Sequence, residues 1–408
     1  MKNSLWALLI FCCVSAFAAS DKDTLPLKKK TVPSGPVGDR LESDLLAPKK
    51  SGESSSSTSS PSSASHKPAK GAPQMAGPYI AGLDTFGSSR VNEASVRKFL
   101  GKDLDRWIEK GLKADPTSIE DENRLKERVK AKWGFATAEW SVIQYFEPGD
   151  MAIYVTLDVV EKQDVKKRLA FLAPPTGQFP DPGNLIAGWR EYEEKSMELI
   201  EKGSLEPQAV DCVALHCPFG HKHPALKKYE KVFVDGVRKH EKELAEVLAK
   251  DQRGDVRGAA AYLMAYLKDG RRVVEYLSGR IRDPDELVRN NALRVLGDIA
   301  EFHREYVIPI KPVLEALTFP RVSDRSKAVY IAFHMASYSQ NARDEIMKSA
   351  VPDILRMLES KQPDHREFSH GILRRISGKD FGATDIRGWS AWWEKYEADR
   401  AIAKKDGK

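Results

Sequence analysis

Cysteine is scarce in this chain, with four residues among 408. Cys12 and Cys13 lie in an apolar N-terminal stretch, so only Cys212 and Cys217 serve the body of the protein. A small fold stapled by several disulfides is thereby excluded. Charge of one sign is also lacking: 65 Lys and Arg stand against 59 Asp and Glu, a net charge of +6. That is too dilute for a nucleic-acid binder, which concentrates its cations on one face or tail. Long hydrophobic runs are missing as well. The longest, Leu5 to Val14, falls short of the ~20 residues that cross a bilayer as a helix. Gly-x-Ser-x-Gly, His-Glu-x-x-His, Gly-x-x-x-x-Gly-Lys and Gly-x-Gly-x-x-Gly do not occur, so no catalytic residues and no cofactor are expected.

What is present begins with an export signature. Met1-Lys2-Asn3 precedes the apolar run, and Ala16-Phe17-Ala18 follows it, the charged, apolar and small-residue order of a secretory signal peptide cleaved near Ala18. Lipid attachment would need a Cys after a Leu-small-small stretch, whereas Cys12 and Cys13 follow Ile10-Phe11. The short Lys-led start points to a bacterial protein, periplasmic or secreted. Residues 19–77 then read as a disordered linker. They hold Lys28-Lys29-Lys30, several Pro and Gly, and a tract from Ser51 to Ser65 in which ten of fifteen residues are Ser. Such a segment cannot bury enough apolar surface to offset its ordering entropy. The basic triplet offers at most a peripheral envelope contact.

From residue 78 to 162 the pattern becomes that of a small α+β domain. Tyr79 to Leu83 reads as a strand, and Val91, Val96, Phe99 and Leu100 as a helix. Ile119, Leu125, Val129 and Trp133 form a second helix, with Thr117 or Ser118 as N-cap and Gly134 as its stop. The charged residues between Gly101 and Pro116 read as an insertion. Ala136 to Phe146 and Met151 to Glu161 pair as a hairpin across Glu147-Pro148-Gly149-Asp150. This strand-helix-helix-strand-strand order, with Lys132-Trp133-Gly134-Phe135 entering the hairpin and Val155-Thr156-Leu157-Asp158-Val159-Val160-Glu161-Lys162 closing it, resembles a POTRA domain. The resemblance implies a module that binds other chains by strand-edge pairing in outer-membrane assembly and secretion.

Residues 163–224 read as a connector: a Pro/Gly-rich loop, a helix carrying Trp189, Tyr192, Met197, Leu199 and Ile200, and then the Cys/His cluster. Beyond it, helix formers recur with regular breaks. Asp255-Val256-Arg257 aligns with Leu287-Val288-Arg289 at a step of 32, and Asp324-Arg325 lies 36 further on; a weaker unit surrounds His365-Arg366. Helical pairs at such steps cannot bury their apolar faces alone and must stack into an α-solenoid. Residues 225–378 resemble HEAT repeats, four units in all, whose second helix opens with an Asp-x-x-Arg or Val-Arg-x-x-Ala pattern. Residues 379–408 end the chain with Trp389, Trp392 and Trp393 on one helix side, suited to cap the last repeat. Acidic pairs such as Asp283 with Asp285 and Glu301 with Glu305 are read as N-caps and solvated faces.

The densest polar cluster is Cys212, His216, Cys217, His221 and His223. Its leading reading is a disulfide between Cys212 and Cys217, the expected fate of two nearby exported thiols. Free structural residues are a second reading. A zinc or copper site with Cys212, Cys217, His221 and His223 as ligands, and His216 behind them, is the third. The expected function is an exported protein–protein adaptor or scaffold associated with envelope or outer-membrane assembly. A metal-binding or redox-linked protein acting through this cluster is the alternative.

Overall fold

The computed structural model describes residues 78–113, 115–147, 150–205 and 212–406; the signal-peptide and linker expectations lie outside them. The first unit is built from β1 (Pro78–Phe86), α1 (Glu93–Leu100), α2 (Lys102–Leu112), α3 (Ser118–Trp133), β2 (Thr137–Glu147) and β3 (Asp150–Val160). The sheet order is β1-β3-β2, with β1 parallel and β2 antiparallel to β3. Alternation divides β3 into two faces. Ile153, Val155, Leu157 and Val159 join Leu83, Trp140 and the helices in one core. Ala152 packs with Ile143, Tyr145 and Val322 on the other face.

Two local readings need correction. The stretch after Gly101 is no loose insertion but mostly α2, because Leu104, Trp107 and Ile108 sit at i, i+3, i+4 and bury beside Trp140, ring centroids of the two Trp 5.3 Å apart. Gly101, at φ 53°, separates α1 from α2 in a conformation that other residues avoid. At the start of α3 neither Thr117 nor Ser118 caps with its side chain; Asp115 accepts from the Thr117 N–H at 2.9 Å instead.

After the one-turn α4 (Val165–Arg168) an extended segment leads to α5 (Leu185–Glu201) and α6 (Pro224–Lys239). Helical pairs follow: α7 (Glu241–Lys250) with α8 (Gly254–Leu263), α9 (Gly270–Ser278) with α10 (Glu286–Phe302), α11 (Ile310–Ala316) with α12 (Val322–Tyr338), and α13 (Gln340–Ser349) and α14 (Val351–Leu358) with α15 (Pro363–Ser377). The second helices α8, α10, α12 and α15 pack side by side in one row, and the core runs through all the pairs. Gly258 lets α10 approach α8, since a Cβ there would meet Leu287 Cγ at 3.0 Å. The last helix, α16 (Ile386–Asp406), packs on α14. Its Trp389 is fully buried and donates Nε1–H to the Gly382 carbonyl at 2.8 Å, while Trp392 and Trp393 are half-buried against the core.

Candidate functional site

Four arginines recur at the fourth position of the second helices, and each donates to the carbonyl six residues earlier. Arg257 reaches Asp251 O at 2.7 Å, Arg289 reaches Asp283 O at 3.0 Å, Arg325 reaches Phe319 O at 2.7 Å and Arg366 reaches Ser360 O at 3.0 Å. In the first two the guanidinium then crosses to a carboxylate of the next repeat. Arg257 Nη2 donates to Asp283 Oδ1 at 2.6 Å, and Arg289 Nε to Asp324 Oδ2 at 2.9 Å. Arg257, Arg289, Asp283 and Asp324 are all buried. Asp283 is therefore a buried ion-pair partner rather than a solvated cap, though Asp285 does cap α10 by accepting from the Leu287 N–H at 2.9 Å. Glu301 likewise is half-buried and accepts from the Tyr330 hydroxyl.

The row changes at Arg325. The fourth repeat presents Ser360, Lys361 and Gln362 at its turn, and the carboxylate comes from β3 of the first unit: Arg325 Nη1 donates to Asp158 Oδ1 at 2.5 Å. Both groups are buried. Burial pushes the Asp158 carboxyl up to about 6 despite the opposing pull of Arg325, Arg168 and Arg321. The face of β3 that carries Ala152 thus also supplies Thr156, whose hydroxyl accepts from Gln362 Nε2 at 2.8 Å. Asp84 of β1 accepts from Ser360 Oγ at 2.9 Å and from the Lys361 N–H at 2.8 Å. On β2, Glu139 pairs with Arg321 at 3.3 Å. The sheet is sandwiched between its own helices and the solenoid.

The connector holds this arrangement from outside. Arg168 Nε donates to Thr318 O at 2.8 Å, the Leu172 N–H to Arg282 O at 2.8 Å and the Gly177 N–H to Lys250 O at 3.1 Å. Those acceptors are spaced by 36 and 32 residues, the steps of the repeats themselves. Phe171 stacks edge-on against Phe319 at 5.0 Å and lies under the Arg289 guanidinium at 4.2 Å. Residues 168–177 form a strap along three successive turns of the solenoid.

The Cys/His cluster forms a clamp at the solenoid entry. Cys212 and Cys217 are joined in a disulfide, Cα atoms 5.4 Å apart, with Cys212 exposed and Cys217 buried. Between them the Leu215 N–H donates to Ala265 O at 3.0 Å. His216 lies flat on Tyr262, ring centroids 5.3 Å apart, and its Nδ1 is 2.7 Å from Asp298 Oδ2. His221 Nε2 is 2.8 Å from the Tyr266 hydroxyl, and burial lowers its pKa. His223 Nδ1 accepts from the Ala225 N–H at 3.2 Å and so caps α6. Of the four candidate ligands, Cys212 and Cys217 are thus bonded to each other while His221 and His223 turn to different partners, and no group of three or more His, Cys, Asp or Glu gathers for a metal among the described residues.

Arg325 marks a repeat and Asp158 lies in the closing strand, but their meeting at the sheet–solenoid junction, with Phe86 and Arg168 beside them, is not announced by the sequence. A partial signal existed: Thr156 and Asp158 alternate with Val155, Leu157 and Val159, so a strand apolar on one face carries an acid on the other. Comparison with known families bears on the repeats. Residues 241–332 match the family model of HEAT repeats, a span that opens with α7 and ends within α12. No curated protein matches the chain. The architecture is a small α+β unit followed by a HEAT-like α-solenoid. Among the described residues no helix is long and apolar enough to cross a membrane.

Proposed function

We propose that this protein is an exported, non-enzymatic adaptor or scaffold that binds other proteins in the bacterial envelope, in the periplasm or beyond. The observation that carries the reading is the unbroken row of second helices α8, α10, α12 and α15, the HEAT-like arrangement commonly used for protein–protein interaction. Half-buried Tyr330, Phe333 and Phe368 lie in ring contact across α12 and α15, the rigid aromatic type of group that anchors interfaces. The sheet order leaves β1 and β2 each with a single partner strand, so a sheet edge is the second kind of surface offered to an extended chain. Export rests on the Met1 to Ala18 pattern, and envelope assembly on the POTRA resemblance of residues 78–162.

The test is capture by the immobilised protein from a periplasm and membrane extract, repeated with Phe368→Ala and with Cys212→Ser. One defined partner, lost with Phe368→Ala and kept with Cys212→Ser, supports the adaptor reading through the helix row. Loss of binding only with Cys212→Ser transfers the function to the Cys/His clamp.

A further inference from the structure

Where the sheet meets the solenoid, a cavity of about 230 Å³ opens between β1, β3, α14 and the start of α15. Phe86 lines it from the sheet; Arg325, Arg356 and Lys361 line it from the solenoid. Acids are present too, and their hydrogen bonds sort them. Asp84 is occupied by Ser360 and the Lys361 N–H, and Glu93 by Lys361 Nζ and Arg97. Glu359 is exposed at the rim.

The guanidiniums are less fully used. Arg325 is 1% exposed, and while Nη1 serves Asp158 and Phe319 O, its Nε–H has no partner among the described residues. Arg168, on the same Phe86 ring, has an Nη2 without a partner among the described residues. Arg356 is half-exposed and meets Asp353 at a long 3.4 Å. These three guanidinium carbons stand 3.8, 5.3 and 5.8 Å from the centre of the Phe86 ring, for Arg325, Arg168 and Arg356 in turn. With Asp84 and Glu93 occupied, the cavity keeps the Glu359 carboxylate at its rim and, as donors of positive charge, Arg325 and the weakly paired Arg356. Guanidinium forks match planar and tetrahedral oxoanions, and pockets at junctions between units are where small ligands settle.

We propose that this junction cavity binds a small oxoanion, either phosphate or the carboxylate of a small organic acid, held between Arg356 and Arg325 beside Phe86. Such a ligand accepts from the fork of Arg356 and lies against Arg325 where that residue lines the cavity. Since its walls come from both units, its binding also tightens their contact.

The purified protein is titrated with sodium phosphate and, separately, with sodium acetate, ionic strength being held constant with sodium chloride, while thermal unfolding and binding heat are followed. A saturable rise in melting temperature is expected in at least one series, and the responding series tells tetrahedral from planar preference. Arg356→Gln, at a half-exposed position, is expected to leave the melting temperature in chloride alone unchanged and to weaken binding by about tenfold or more. Arg356→Lys, which keeps charge but not the fork, retains part of the affinity. The proposal is overturned by shifts no larger than those in chloride, by lack of saturation in both series, or by equal responses of the wild-type protein and Arg356→Gln.

Discussion

Asp324 is fully buried and accepts from Arg289 Nε, itself buried and lying over the Phe171 ring. Removing one member of such a pair leaves the other as an uncompensated charge, a cost of about 3–5 kcal/mol. Asp324→Ala is therefore expected to lower the unfolding free energy by that amount in urea titration, while the double variant Arg289→Met with Asp324→Leu recovers most of the loss. A loss below about 1 kcal/mol would show that water reaches Arg289 and that the ion-pair row adds little. Apolar residues follow the same logic with a different origin. Leu296 of α10 is fully buried, so Leu296→Ala is expected to cost about 2–5 kcal/mol through the cavity it leaves between packed helices. Exposed Glu275 is the control, with Glu275→Ala expected within about 0.5 kcal/mol of the parent.

At the scale of elements, the clamp from Cys212 to His223 joins α5, α6, α8 and α10: Tyr192 of α5 donates to Gly220 O at 2.9 Å, His223 caps α6, His216 lies on Tyr262 of α8 and Asp298 of α10 receives His216. The disulfide closes a short loop, so its loss is worth at most about 2 kcal/mol by chain entropy. Cys212→Ser combined with Cys217→Ser is expected to speed amide exchange around residues 262–266 and to leave the helical circular-dichroism signal intact. Melting of the whole solenoid on that change would show the clamp to be the folding core of the repeats. The strap at residues 168–177 acts on the other side, tying three turns together through backbone acceptors. Its backbone acceptors are set by repeat spacing, so apart from Arg168 and Phe171 it reads as a plain loop until the turns are stacked.

For the molecule as a whole, the sheet–solenoid junction couples stability to pH. Burial raises Asp158 to about 6, against an ordinary 3.8, and raises Asp364, beside Tyr145, to about 6 as well. The folded protein thus holds protons that the unfolded chain releases. The resulting stabilisation is complete below about pH 4 and is lost as pH rises through 6. His221, His334 and His365, all lowered chiefly by burial, work in the opposite sense and lose stability as pH falls through 6.5. The contribution of Asp158 is isolated by comparing the wild-type protein with Asp158→Asn in urea unfolding at pH 5 and pH 7.5. The wild-type protein is expected to gain on Asp158→Asn by about 1.4 kcal/mol as the pH falls from 7.5 to 5. A constant difference between the two proteins across that interval would place Asp158 in contact with water and open the junction.

Local order was legible along the chain because it obeys local rules. Strand alternation in β2 and β3, the helical spacing of Val96, Leu125 and Val129, and the 32- and 36-residue steps of the Arg-bearing helices all follow from side-chain periodicity. Even α2, overlooked among its charges, displays Leu104, Trp107 and Ile108 at helical spacing. The sequence by itself thus determined a small α+β unit and a row of stacked helix pairs. Only the tertiary structure decided that Asp158, not an acid of the fourth repeat, completes the row at Arg325, that Asp283 is buried with Arg257, and that the ring nitrogens of His216, His221 and His223 turn to three different partners. Arg325 and Asp158 lie 167 residues apart. Periodicity fixes which face of an element is apolar, but the partner of a polar group on the other face is chosen by burial and geometry once distant elements meet.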